Sequence, residues 1–286
     1  MTVPDYISEE FLSSFIASAL AEDIGDGDHS TLSAIPATAT NRVRLLVKES
    51  GILAGAELAK RIFLHYDPKL ILENYLSDGA IVKKGDIAFS VTGSARSLLT
   101  TERLVLNCMQ RMSGIATKTR HLVNLVARTR AKLLDTRKTT PNFRLLEKWA
   151  VVIGGGGNHR LGLYDMIMLK DNHNDMAGGI AQAINRAKDY LRAENRHLKI
   201  EVETRNIEEV KQALDAGGID VIMLDNMSIE QMKAALQLID GRCKTEASGN
   251  ITEETITAVA ECGVDYISVG ALTHSVKSLD LSLKAY

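Results

Sequence analysis

The chain has 286 residues, 45% of them hydrophobic and 24% charged, enough for one large or two ordinary globular domains with a real core. A formal net charge of −2 excludes a general binder of nucleic acid or membrane surfaces, so any basic site must be local. Cys108, Cys243 and Cys262 are widely spaced and form no C-x-x-C pair, which excludes a disulfide framework and an obvious zinc site.

The opening M-T-V-P-D-Y-I-S-E-E lacks a basic, then apolar leader, and no run of about 18 apolar residues follows anywhere. The expectation is a cytoplasmic protein. Ser8, Glu9 and Glu10 followed by Phe11, Phe15 and Ile16 predict a capped amphipathic helix over 8–21. The acidic glycine-rich turn at 22–28 lacks the glycine and glutamate spacing of a calcium loop. Residues 42–53 alternate as a strand that ends at Gly51, and 54–66 have helical spacing. Between 70 and 93, D-G-A-I-V-K-K-G-D-I-A-F-S-V-T-G reads as two short strands joined by Lys83-Lys84-Gly85-Asp86. This resembles a biotin- or lipoyl-carrier hairpin without a modifiable lysine in the usual turn. Residues 97–128 predict one or two long helices, with a break at Ser113-Gly114.

From about 131 the texture changes. Apolar runs at 132–134, 166–169, 198–202, 221–224, 243–247 and 266–269 alternate with helical stretches at 177–192, 207–216, 229–238 and 253–262. Continuous apolar strands alternating with helices indicate a parallel α/β sheet. Glu203, Asp225, Ser248 and Gly270 end the last four strands at intervals of 22, 23 and 22 residues, a repeat tight enough to indicate a barrel.

Every strand in this half stops in chemically active residue types. The sharpest case is L-L-D-T-R-K-T-T-P at 133–141, where an apolar run ends in an acid, two adjacent bases and three hydroxyls. Arg137 presents a planar fork suited to carboxylate or phosphate, and Lys138 a compact charge. By itself this stretch reads as a solvated loop. However, a parallel barrel gathers all its strand ends on one face, where such folds carry active sites.

The basic set is Arg137, Lys138, His159, Arg160 and Lys170, suited to an anion with two carboxylates or phosphates. Taken alone, His159-Arg160 reads as a surface loop after the glycine run. Glu203 and Asp225 can hold Mg²⁺ directly or through water, accept ribose hydroxyls, or stabilise a sugar cation. The ends Ser248-Gly249-Asn250 and Ser268-Val269-Gly270 suit a phosphate held by backbone N–H groups. A serine hydrolase is disfavoured by the lack of G-x-S-x-G, and a dinucleotide oxidoreductase by the lack of G-x-G-x-x-G between strand and helix.

Several ordered motifs carry a more specific resemblance: Thr101-Glu102-Arg103 with Leu106-Asn107, Ser113-Gly114-Ile115-Ala116-Thr117, and Asp135-Thr136-Arg137-Lys138-Thr139-Thr140-Pro141. Gly155-Gly156-Gly157 with His159-Arg160, Leu169-Lys170-Asp171-Asn172-His173 and Glu201-Val202-Glu203 continue it. Over nearly the whole chain the sequence resembles the quinolinate phosphoribosyltransferase family. The resemblance implies an α/β fold, with a smaller N-terminal α/β sandwich at 1–114 and an incomplete parallel α/β barrel at 115–274. The tail at 275–286 is expected to return to the first domain. It also implies transfer of phosphoribose from phosphoribosyl pyrophosphate to quinolinate with decarboxylation, using Mg²⁺.

A homodimer, or a larger homo-oligomer, with sites shared between subunits is implied as well; neither nucleic acid nor membrane is an expected partner. Arg103 corresponds to the arginine that reaches quinolinate across the subunit interface. Thr136, Arg137, His159, Arg160 and Lys170 correspond to the quinolinate pocket. Lys138, Glu203 and Asp225 correspond to the reacting centre, the two acids also to the metal ligands. Ser248, Gly249, Asn250, Ser268 and Gly270 correspond to the phosphate cup. Asn142-Phe143, Trp149 and Asn250 depart from the usual family residues without removing a charged group. Two alternatives stay open: a phosphoribosyltransferase of the same fold acting on another aromatic acid, nicotinate included, or a silent anion-binding relative.

Overall fold

The computed structural model describes residues 3–286, which separate into two compact units. One comprises the chain up to Arg120 together with 139–155 and 272–286; the other comprises 121–138 and 156–271. A single cut at 114/115 describes this division only in outline, because 139–155 groups with the first unit and not with the barrel strands that flank it in sequence.

In the first unit, α1 (Glu9–Ile24) starts at Ser8, whose hydroxyl accepts the Phe11 N–H at 3.1 Å. Its buried stripe is Leu12, Ile16 and Leu20, spaced by four. Phe11 and Phe15 are only half-buried, Phe15 lying 5.6 Å from the Phe143 ring. The acidic turn expected to be bland ends in a cap: Asp28 accepts the Thr31 N–H at the start of α2 (His29–Ala34).

Strand β1 (Thr40–Val47) is followed by β2 (Gly51–Ile52), α3 (Ala56–Tyr66), β3 (Ile71–Asn74), β4 (Ile81–Val82) and β5 (Ile87–Ser94). The predicted hairpin does not form. β4 pairs with β2, while β5 pairs antiparallel with both β1 and β3. Alternation locates the strands but leaves the partner open, and the apolar face of β5 takes the more buried position. Phe89 meets Phe63 of α3 edge-on at 6.2 Å, both fully buried.

The long helix α4 (Ala95–Val126) runs 32 residues without the predicted break. Gly114 serves a different purpose: a Cβ there would lie 2.3 Å from the Lys277 carbonyl oxygen. The preceding residue, Ser113, donates to the Ala54 carbonyl at 3.0 Å and accepts the Ala54 N–H at 2.9 Å.

The second unit holds a six-stranded parallel sheet: β6 (Lys132–Leu134), β7 (Ile167–Leu169), β8 (Ile200–Thr204), β9 (Val221–Asp225), β10 (Lys244–Ser248) and β11 (Tyr266–Ser268). Its order, β6-β11-β10-β9-β8-β7, is cyclic, with the last strand lying beside the first. Among the described residues, β6 and β7 are the strands at the two ends of this order, which makes it a barrel with one open seam. At that seam Gly157 bridges to Leu134, its N–H donating to the Leu133 carbonyl at 2.8 Å.

Like α2, the helices α5 (Arg144–Gly154) and α6 (Asp171–Ala177) were not predicted. The predicted α7 (Ile180–Ala193) starts only after the left-handed Gly178 that ends α6. The helices α8 (Ile207–Ala216), α9 (Ile229–Ile239) and α10 (Ile256–Glu261) fall as expected between strands. The chain closes with α11 (Ala271–His274) and β12 (Leu281–Ala285), which pairs antiparallel with β1 and completes the first unit's sheet, β12-β1-β5-β3. Among the described residues, no helix is long and apolar enough to cross a membrane.

Candidate active site

Parallel pairing sets the strand ends of the second unit side by side. Ser248 is in register with Asp225, and Glu203 of β8 with Met223 of β9. Side chains two residues apart on a strand share a face. Glu201 and Glu203 therefore form two successive layers on one side of β8, as Glu246 and Ser248 do on β10. The upper layer is the predicted one.

Glu203 is buried to 8% exposure. Its carboxylate lies 3.9 Å from the Lys170 ammonium and accepts the Asp171 N–H at 3.4 Å. Burial, then the charge of Asp225, raises the Glu203 pKa, while Asp171's N–H and Lys170 pull it down. The two acids thus act on each other electrostatically, and Lys170 reaches the same group. The Lys170 backbone N–H donates to His173 Nδ1 at 3.0 Å, fixing the turn into α6. The Asn174 amide donates to the Glu203 carbonyl at 3.2 Å.

The predicted basic pair at the seam is also held together. Arg160 is half-buried and makes no ion pair within the described residues. Burial, then the neighbouring Arg137 charge, lowers the Arg160 pKa, with Glu201 and Asp165 opposing. Lys138 is exposed, and its N–H donates to Thr136 Oγ1 at 3.1 Å.

After β9 and β10 the chain turns through three positive-φ residues, Asn226 (54°), Gly249 (88°) and Asn250 (50°). The Asn250 amide donates to Asn226 Oδ1 at 2.9 Å, and a Cβ on Gly249 would stand 2.3 Å from that same oxygen. Only glycine fits at 249. The Asn226 amide in turn donates to Asp225 Oδ2 at 2.8 Å. Asn226 is a site neighbour that the sequence reading missed; Asn after a strand-end acid, a residue type tolerant of positive φ, was the available signal. Ser268 is buried at the end of β11, and Gly270 follows two residues on.

His159 lies beside two buried acids. Its Nδ1 accepts the Arg160 N–H at 2.9 Å, so the ring proton sits on Nε2. That nitrogen lies 2.8 Å from Glu201 Oε2 and 3.5 Å from Glu246 Oε2. Nε2 thus faces two buried carboxylates. Asp135, fully buried, accepts the His159 N–H at 2.9 Å and the Asn158 amide at 2.6 Å. Burial, then the Glu201 charge, pushes Glu246 from 4.5 up to about 8, against the pull of His159. Asp135, Glu201 and Glu246 received no role from the sequence. The spacings E-V-E and E-A-S carry the signal, a second acid one layer beneath each strand end. Arg103 belongs to the first unit, exposed on α4.

A barrel whose strand ends gather paired guanidiniums, a lysine, two acids and a glycine–asparagine turn defines the class: an α/β barrel protein built to bind a polyanionic small molecule. Residues 28–113 match the family model for the N-terminal domain of quinolinate phosphoribosyl transferase, and residues 115–284 match that for its C-terminal domain. The chain belongs to the quinolinate phosphoribosyl transferase family.

It is 48% identical over 288 aligned residues to a chloroplastic carboxylating nicotinate-nucleotide pyrophosphorylase of Arabidopsis thaliana, covering 96% of this chain and 82% of that one. A probable carboxylating nicotinate-nucleotide pyrophosphorylase of Bacillus subtilis (strain 168) is 44% identical over 262 residues, covering 92% and 89%. The solved structure of NadC from Streptococcus pyogenes superposes with a TM-score of 0.92 at 42% identity, covering 98% and 99% of the two chains.

Proposed function

We propose that the chain transfers phosphoribose from phosphoribosyl pyrophosphate to the ring nitrogen of quinolinate and releases CO₂, giving nicotinate mononucleotide and pyrophosphate. The observation that carries this reading is the half-buried Arg160, without an ion pair among the described residues, on the same barrel as Lys170, Glu203 and Asp225 at their strand ends. A dicarboxylate supplies two anionic groups to Arg160, Arg137 and Lys170, through charge-assisted and bidentate bonds. A monocarboxylate supplies one.

The ring nitrogen attacks the anomeric carbon as the pyrophosphate bond breaks, and positive charge develops on the sugar. Glu203 and Asp225, adjacent at their strand ends, stabilise that charge. Ser248, Gly249, Asn250, Ser268 and Gly270 hold the ribose phosphate, while Lys138, after the neighbouring β6, faces the pyrophosphate. The now-cationic ring stabilises the electron pair left at C2 when CO₂ departs, and a proton from solvent takes its place. The enzyme's part is positioning and electrostatics, without a covalent intermediate.

The oxygen donors of Glu203 and Asp225 suit Mg²⁺, which commonly binds one or two carboxylates together with substrate phosphates. Bound there, it would neutralise charge on the departing pyrophosphate. A homodimer or larger assembly, in which Arg103 completes the partner subunit's pocket, belongs to the same reading.

The test is turnover of purified protein with phosphoribosyl pyrophosphate and Mg²⁺, with quinolinate and nicotinate in parallel. The expected result is loss of quinolinate absorbance with one CO₂ released per turnover, and none with nicotinate. Turnover of nicotinate alone would move the assignment to a different acceptor. Tight quinolinate binding without turnover would indicate a silent relative.

A further inference from the structure

Beneath the strand-end charges lies a polar layer that the proposed reaction leaves unused. We propose that Glu201 and Glu246 are positioning residues: they fix the His159 ring so that it holds the main chain of Arg160 where the arginine grips a substrate carboxylate. This rests on the function proposed above.

The geometry is closed on every side. Glu201 and Glu246 are each 1% exposed, and the His159 side chain 8%. The two carboxylates come from β8 and β10, and both lie within reach of the same imidazole nitrogen, at 2.8 and 3.5 Å. The opposite nitrogen accepts the Arg160 N–H. The same short segment is tied to the β6 end at three further points. Asp135 accepts from both His159 and Asn158, and the Gly157 N–H donates to the Leu133 carbonyl. Arg160 therefore leaves a segment whose backbone is held from three barrel strands. A surface loop, the reading its sequence invites, would carry no such anchors.

The two acids approach the same imidazole nitrogen from β8 and β10, so the ring is braced from two strands. Removing either acid frees the ring to rotate and strands a buried polar group, and a small displacement of Arg160 weakens its grip on the substrate carboxylate.

Two measurements test the proposal. The first is ¹⁵N NMR of the substrate-free protein with labelled histidine, which reads the His159 tautomer whatever the substrate. A proton on Nε2 with a bare Nδ1 is expected; a proton on Nδ1 would overturn the proposal. The second is kinetic. Glu201→Ala should raise the KM for quinolinate about tenfold without moving that for phosphoribosyl pyrophosphate, and Glu201→Gln should restore much of it, because its carbonyl can accept the Nε2–H. Equal rises in both KM values would indicate a general defect and overturn it.

The three ligating atoms also lie within 4.8 Å of one another, a spacing compatible with a cation. One equivalent of tightly bound Zn²⁺ that Glu246→Ala abolishes would overturn the positioning role. Should the unsubstituted protein fail to turn over quinolinate, the function falls while the NMR measurement still decides the cluster.

Discussion

A carboxyl group enclosed by protein and faced by a second carboxylate keeps its proton far above its ordinary range, and Glu246 is the case here. Its folded-state pKa, about 8, stands above the ordinary 4.5, so the folded state binds the proton more tightly than the unfolded chain does. Its favourable contribution is complete below about pH 4.5 and is lost as pH rises through about 8. Glu246→Gln, which keeps the shape of the neutral acid, should remove that slope. Urea unfolding of both proteins between about pH 5 and 8 checks this: the parent's stability relative to the variant should fall steadily with pH. A constant difference would mean that Glu246 does not change its proton binding on folding. At this scale the sequence was half legible. Glu203 and Lys170 could be picked out because they follow apolar runs directly. Glu201 and Glu246 are the same residue type two positions earlier, and only burial separates an acid that faces a ligand from one that carries a proton for its neighbour.

At the scale of elements, Gly114 illustrates how a local signal acquires its meaning from a distant segment. Glycine inside a helical pattern reads as a break, yet α4 passes through it. The position is small because the backbone at Lys277 crosses at that point, just before β12. Two effects compete in Gly114→Ala. Helix propensity favours alanine by about 1 kcal/mol, whereas forcing a methyl group against a backbone carbonyl costs about 1–3 kcal/mol. A Cβ at 2.3 Å from an oxygen that cannot rotate away makes the second larger. The variant should melt at a lower temperature than the parent; a higher melting temperature would show that the crossing relaxes freely. The pairing of β4 with β2, and of β5 with β1 and β3, was unreadable for a related reason, since alternation gives a strand its faces and not its partner. The helix α5 is mostly buried and takes the charged Glu147 and Lys148 inside with it, a burial that the sequence alone does not mark.

At the scale of the molecule, the proposed completion of the pocket by a neighbouring subunit has a consequence that single substitutions cannot mimic. Arg103→Ala and Lys170→Ala proteins should each be nearly inactive alone. In a mixed dimer one site collects both lesions and the other none. Equal mixing after subunit exchange should therefore restore about a quarter of the parent activity. No recovery, with exchange verified by mass, would place both residues in one subunit's site.

What the sequence determined by itself was the succession of six parallel strands, the polar type of each strand end and the family to which the motifs belong. Those properties are local: apolar runs, their interval and the residue that follows them survive in one dimension. Only the tertiary structure decided that 139–155 joins the first unit, that Gly114 is a crossing and not a break, and that His159 turns inward to Glu201 and Glu246. Each of these depends on which distant backbone or charge lies opposite a residue. That information comes into being only when β11 closes on β6 and the strand interiors meet.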